Sequence, residues 1–140
     1  MKQIPVIFWT GTGNTQMMAD AVAEAINVAG AEAVVKNVSE ITADEAAGYD
    51  ALALGCPAMG AEVLEECEFE PFFTELEGKL AGKKVALFGS YGWGGSYMQD
   101  WEARVKDAGA TLVADGVLAL GAPDDEAMAK LAEAGKLLAE

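Results

Sequence analysis

Three short runs carry the residues that could do chemistry. The first is Thr10-Gly11-Thr12-Gly13-Asn14-Thr15, which sets four side-chain donors around two glycines. It follows the apolar run 4–9 and precedes a helical pattern that begins at Gln16. A strand, a tight turn and a helix start in that order make an anion-binding corner. The first N–H groups of the helix lack intrahelical acceptors and carry about +0.5 of an elementary charge. Gly11 and Gly13 let the backbone come close to a ligand. No Lys or Arg lies in the run, so a phosphate there would be held by neutral donors. A Thr-rich turn that caps a helix accounts for the same letters.

The second run is Gly55-Cys56-Pro57-Ala58-Met59-Gly60-Ala61-Glu62. Met59 offers a polarizable apolar face to an aromatic ring, and Gly60 lets a peptide turn over without a Cβ penalty. Taken alone, it reads more simply as a surface turn with a core Met. The third run is Phe88-Gly89-Ser90-Tyr91-Gly92-Trp93-Gly94-Gly95. A large aromatic among glycines has no regular core position, so Trp93 is either a binding surface or folded back over an apolar patch. Together the runs describe one phosphate cradle and two apolar faces, with room for a flat ring between them.

Other chemistries fail on the letters. A Walker loop needs Lys after its last Gly, but Asn14-Thr15 follow Gly13. A dinucleotide fingerprint needs a third Gly where Gln16 stands, and an acid where strand two ends in Asn37-Val38. The chain has no His, and Cys56 and Cys67 form no CxxC, so no metal site, zinc site or dithiol redox pair is expected. No catalytic base or nucleophile lies in the runs either.

The elements that must position these runs alternate strictly. Strands are expected at 3–9, 33–38, 51–55, 85–88 and 111–120. Helices are expected from Gln16 to a stop at Gly30, weakly over 39–48, from near Pro71, from Ser96 with a Gln99 capping box, and from Pro123. The inward faces read Met17, Met18, Ala21, Val22, Ala25, Ile26 on the first helix and Phe72, Phe73, Leu76, Leu80 on the third. They read Met98, Trp101, Val105, Ala108 on the fourth and Met128, Leu131, Gly135, Leu138 on the last. Apolar strands alternating with amphipathic helices imply one α/β domain over 1–140, with a parallel sheet and helices on both faces. Ligands on such sheets bind at the carboxyl ends of the strands, where all three runs fall.

Composition narrows the partners. The chain has 140 residues, is 52% hydrophobic and carries a net charge of −14. That acidity excludes nucleic acid and anionic membrane surfaces as partners and favours a basic protein surface. The isolated thiols and the lack of a secretory or membrane-spanning pattern lead to the expectation of a cytoplasmic, monomeric protein.

On these three runs, and over essentially its whole length, the chain resembles the flavodoxins. It is similar to their short-chain type, because strand five runs into the last helix without an insertion. The resemblance implies the sheet order 2-1-3-4-5 and bound FMN as cofactor. Thr10, Thr12, Asn14 and Thr15 would hold the phosphate, with backbone N–H groups from Gly11 through Gly13 to Thr15. Met59 would face the inner side of the isoalloxazine and Trp93 the outer side. The peptide after Gly60 would turn over to accept the N5 proton of the semiquinone, and Glu62 would meet the ring N3–H. Pro57, Ala58 and Ala61 would line the ring, and Gly89, Ser90, Tyr91 and Gly92 would supply donors near O2 and N1. Ala61 stands where close relatives commonly carry Asp, and the segment between Trp93 and Met98 is one residue shorter.

The implied function is a low-potential one-electron carrier between redox proteins, working between semiquinone and hydroquinone. The alternative is an FMN-dependent NAD(P)H-quinone reductase of the same fold, which a ring covered by Trp93 disfavours. A cofactor-free receiver domain would need acids at the end of strand one, and Phe8-Trp9-Thr10 has none. Glu62, Glu65, Glu66, Glu68 and Glu70 are expected to surround the flavin. Five carboxylates at ~10 Å would oppose an anionic flavin by roughly 2 kcal/mol before screening, on the order of 80 mV.

Overall fold

Alternate residues of the strands feed two separate cores. Ile4, Val6 and Phe8 pack with Ala51, Ala53, Ala86 and Phe88 on one face of the sheet. Ile7, Leu52, Leu54, Cys56, Val85 and Leu87 pack on the other. Strands apolar on both faces are what a parallel sheet covered on two sides requires. The computed structural model describes residues 2–9, 13–57, 68–91, 96–120 and 122–140.

The elements run β1 Gln3–Phe8, α1 Asn14–Val28, β2 Glu32–Asn37, a 3-10 turn Val38–Glu40, α2 Ala43–Ala46, β3 Ala51–Gly55 and α3 Phe69–Glu77. They continue β4 Lys84–Tyr91, α4 Ser96–Asp107, β5 Thr111–Leu112, β6 Val117–Leu120 and α5 Asp125–Ala139. All pairings are parallel, in the order β2-β1-β3-β4-β5, with β6 also on β4. The expected order 2-1-3-4-5 is therefore observed. Helices α1 and α5 cover the face that carries Phe8 and Phe88. Helices α3 and α4, with α2, cover the other.

Local chemistry accounts for several helix starts. Thr42 and Glu45 cap α2 reciprocally: Thr42 Oγ1 accepts from the Glu45 N–H at 3.1 Å, and Glu45 Oε1 accepts from the Thr42 N–H at 3.1 Å. Pro71 lies in the first turn of α3, where its missing N–H costs nothing. Asp124 Oδ1 accepts from the Ala127 N–H at 2.8 Å and starts α5.

The structure corrects three expectations. The fifth strand is broken. Register passes from Val85↔Leu112 to Phe88↔Val117, so residues 86–87 face residues 113–116. The break is held by Glu102, whose Oε2 accepts from the Gly116 N–H at 2.7 Å. Second, α1 is turned so that Thr15, Met18, Ala19, Val22, Ala23 and Ile26 are buried, while Met17 is 45% exposed. Met128 is likewise exposed, and Ala127 and Ala134 take the inward face of α5. Ala21, Ala25 and Met128 line a shallow groove between the two helices instead. Helix α1 lies this way because Ala19 and Ala23 let it approach the sheet and Gly135 of α5 approaches it in turn. A Cβ on Gly135 would stand 2.8 Å from Ala25 Cβ. Third, the weak helix expected over 39–48 is a 3-10 turn followed by the single turn α2.

Candidate functional site

The described site residues converge at the carboxyl ends of the strands. Gly13 caps α1 with φ 94° and ψ −9°, a left-handed conformation that suits Gly because it has no Cβ to clash. Among the described residues, the first backbone bond of the helix runs from the Met17 N–H to Gly13 O at 3.1 Å. The N–H groups of Asn14, Thr15 and Gln16 therefore precede the ladder and stand at the positive end of the dipole.

Thr15 and Ser90 are both buried, 1% and 6% exposed, and their hydroxyls are 3.3 Å apart within hydrogen-bonding distance. Thr15 belongs to the first turn of α1 and Ser90 to the end of β4, so this contact joins the first and third runs. Buried hydroxyls need partners, and these two satisfy each other while keeping further lone pairs and rotor freedom for a ligand. Pro57 follows β3 on the same edge. Gly89 and Tyr91 flank Ser90 within β4. The donors here are neutral hydroxyls and backbone N–H groups at a helix start, a set that fits a phosphate ester and a polar flat ring.

Gly89 has a packing role that the sequence reading missed. A Cβ there would land on Cys56 O and on Tyr97 Oη. Tyr97, in the first turn of α4, is buried and its hydroxyl donates to Cys56 O at 2.8 Å. Burial drives the Tyr97 phenol far above its ordinary range, with the Cys56 thiol adding to the effect, so it stays a donor. The signal was present in the sequence: Tyr97 stands four residues before Trp101 and so shares its helical face. Trp9 was also missed. Its indole Nε1 donates to Glu68 Oε1 at 3.2 Å, and its backbone N–H donates to Gly55 O at 3.0 Å.

The expected carboxylate set changes at Glu70. Arg104 Nη1 and Nη2 donate to its two oxygens at 2.7 and 3.0 Å. The same guanidinium donates to Glu77 at 3.0 and 3.1 Å and lies 4.7 Å from the centroid of the Phe73 ring. These Arg104 hydrogen bonds hold the Glu70 carboxyl below its ordinary 4.5, against desolvation. Arg104 is shared between Glu70 and Glu77, so the three groups together keep one negative charge, and Glu70 is only partly compensated in the field expected around the flavin. Thr10, Gly11, Thr12, Ala58, Met59, Gly60, Ala61, Glu62, Glu65, Glu66, Gly92 and Trp93 lie outside the described residues. Among the described residues no cluster of His, Cys, Asp and Glu could hold a metal ion.

The flavodoxin sequence profile matches residues 6–135. The chain is 47% identical over 135 residues to the flavodoxin of Clostridium beijerinckii, covering 96% of this chain and 97% of that protein. It is 46% identical over 116 residues to the flavodoxin of Megasphaera elsdenii, covering 82% and 85%. The solution structure of two-electron reduced Megasphaera elsdenii flavodoxin superposes with a TM-score of 0.90 at 42% identity, covering 97% and 98%. A doubly wound 2-1-3-4-5 sheet, a neutral-donor corner at the start of α1 and these matches over nearly the whole length agree: the chain belongs to the flavodoxin family, FMN-carrying proteins of electron transfer.

Proposed function

We propose that the FMN phosphate sits at the start of α1 and that the isoalloxazine lies between the segments that follow Pro57 and Tyr91. Thr10, Thr12, Asn14 and Thr15 bind the phosphate through hydroxyl and amide donors, with the backbone N–H groups from Gly11 to Thr15 completing the cradle. Met59 and Trp93 flank the ring and exclude water from it. The peptide after Gly60 orients a carbonyl toward N5, Glu62 accepts from N3–H, and Gly89 to Gly92 present backbone donors to the O2 edge. Bound FMN supplies one-electron chemistry. The protein then works as a low-potential carrier rather than as an enzyme with its own substrate. It meets basic redox partners as a monomer in the cytoplasm. No helix among the described residues is long and apolar enough to cross a membrane.

The Thr15–Ser90 contact carries this reading, because it joins the phosphate run to the ring run at one buried point. The test compares FMN with riboflavin, which lacks the phosphate. Thr15→Val is expected to weaken FMN binding to the apoprotein about tenfold, from a lost charge-assisted hydrogen bond, and to leave riboflavin binding nearly unchanged. Equal losses for the two ligands would remove the phosphate from the start of α1.

A further inference from the structure

Two side-chain hydrogen bonds join the roots of the three ligand segments. Segment 58–67 departs after Pro57 and returns at Glu68. At its departure, the Cys56 N–H donates to Phe88 O at 3.1 Å and Cys56 O accepts from Tyr97 Oη at 2.8 Å. Tyr97 is itself at the root of segment 92–95, in the first turn of α4. At its return, Glu68 Oε1 accepts from Trp9 Nε1 at 3.2 Å. Trp9 is the residue next to the phosphate run and is packed against the core on the α3 and α4 side. The hydroxyl of Tyr97 is buried and wedged against the bare Cα of Gly89, so its direction is fixed by packing.

We propose that Tyr97 and Trp9 are positioning residues for the flavin. By pinning the two roots of segment 58–67 to the segments on either side of it, they set the separation between the two one-electron potentials. This rests on the reading that Met59, Gly60 and Trp93 meet the ring. A binding site holds its ligand to the extent that its supporting shell is locked. Each redox form of FMN differs in charge and protonation, so a loosened support lowers affinity for the forms unequally. A potential measures that inequality directly.

The test uses the FMN-loaded full chain. Tyr97→Phe removes one hydroxyl and keeps the ring, and Trp9→Phe removes the other donor. A single hydrogen bond of this kind is worth about a fivefold change in an equilibrium constant. Each variant is therefore expected to change the affinity ratio about fivefold, which shifts the separation of the potentials by about 40 mV at 59 mV per tenfold. The Trp9 bond lies at the surface, so Trp9→Phe carries the measurement should Tyr97→Phe not fold. Loaded variants that melt lower but keep both potentials within about 10 mV of the parent would reduce the bonds to fold stability and overturn the proposal. Met59→Ala and Trp93→Ala separate the two levels of failure. If these also leave both potentials unmoved, the ring lies elsewhere and the underlying reading falls with the proposal. If they move the potentials and the root variants do not, only the positioning role falls.

Discussion

Gly89 has a hydrogen where any other residue would place a Cβ against Cys56 O and Tyr97 Oη. Filling that point forces either the end of β3 or the start of α4 to shift. Gly89→Ala is expected to cost about 2 kcal/mol of apoprotein stability, the range of overpacking a closed site. Urea unfolding measures it, and a change below about 0.5 kcal/mol would mean that the two roots yield freely. Trp93 is a different case, since its assigned role is toward the ligand. Trp93→Ala should weaken FMN binding and raise the second one-electron potential, because water then screens the anionic ring. Redox titration reads both, and an unchanged potential would end the outer-face assignment.

At the scale of elements, α3 and α4 are joined by aromatic edges and one guanidinium. Trp101 meets Phe69 and Phe73 edge-on, with centroids 5.5 and 5.9 Å apart, contacts each worth about 1 kcal/mol beyond burial. Arg104 reaches across from α4 to Glu70 and Glu77 on α3. Its side chain is 31% exposed and that of Glu70 35%, so solvent screening limits the pair to about 1 kcal/mol. The pH dependence has a definite sign. Glu70 has its carboxyl pKa lowered on folding, so its contribution is complete above the ordinary 4.5 and is lost as pH falls through the lower folded value. Thermal melts between pH 6 and pH 3 are expected to show this loss in the parent. Arg104→Met should melt lower at pH 6 and show a shallower decline. Parallel profiles would remove the pair from the acid sensitivity.

For the molecule as a whole, the governing quantity is a net charge of −14 spread unevenly over the fold. No Lys or Arg occurs between Lys36 and Lys79, the stretch that contains β3 and the run from Gly55 to Glu62. Glu70 is partly compensated by Arg104, which it shares with Glu77; the other four expected acids are Glu62, Glu65, Glu66 and Glu68. At ~10 Å they would lower the second potential by roughly 70 mV before screening. Salt should weaken this field. Raising ionic strength from about 10 mM to about 0.5 M shortens the Debye length from about 30 Å to about 4 Å, so the second potential should rise by tens of millivolts. The rate of electron exchange with a basic redox partner should fall in the same series, because steering is lost. A potential independent of salt would leave the acids as a solvated surface.

Much of this was legible in the letters because it is local. Apolar runs broken by Gly, Pro and Thr mark the strands and the order of elements, and the donors at Asn14 and Thr15 are visible as residue types. The parallel sheet follows from central strands β1, β3 and β4 that are apolar on both faces. The remainder depends on pairs far apart in the chain. Cys56 O finds the Tyr97 hydroxyl 41 residues on, Trp9 finds Glu68 across 59, and Glu70 finds Arg104 across 34. Periodicity could not choose between Met17 and Met18 for the inward face of α1, since both suit a helix stripe. Close packing of Ala19, Ala23 and Gly135 made that choice. The break in the fifth strand likewise waited on Glu102 of α4, which takes the Gly116 N–H that an unbroken strand would offer to its neighbour. Residue type and spacing announce what can bind. Contacts closed only in three dimensions decide which side chains are held still to do it.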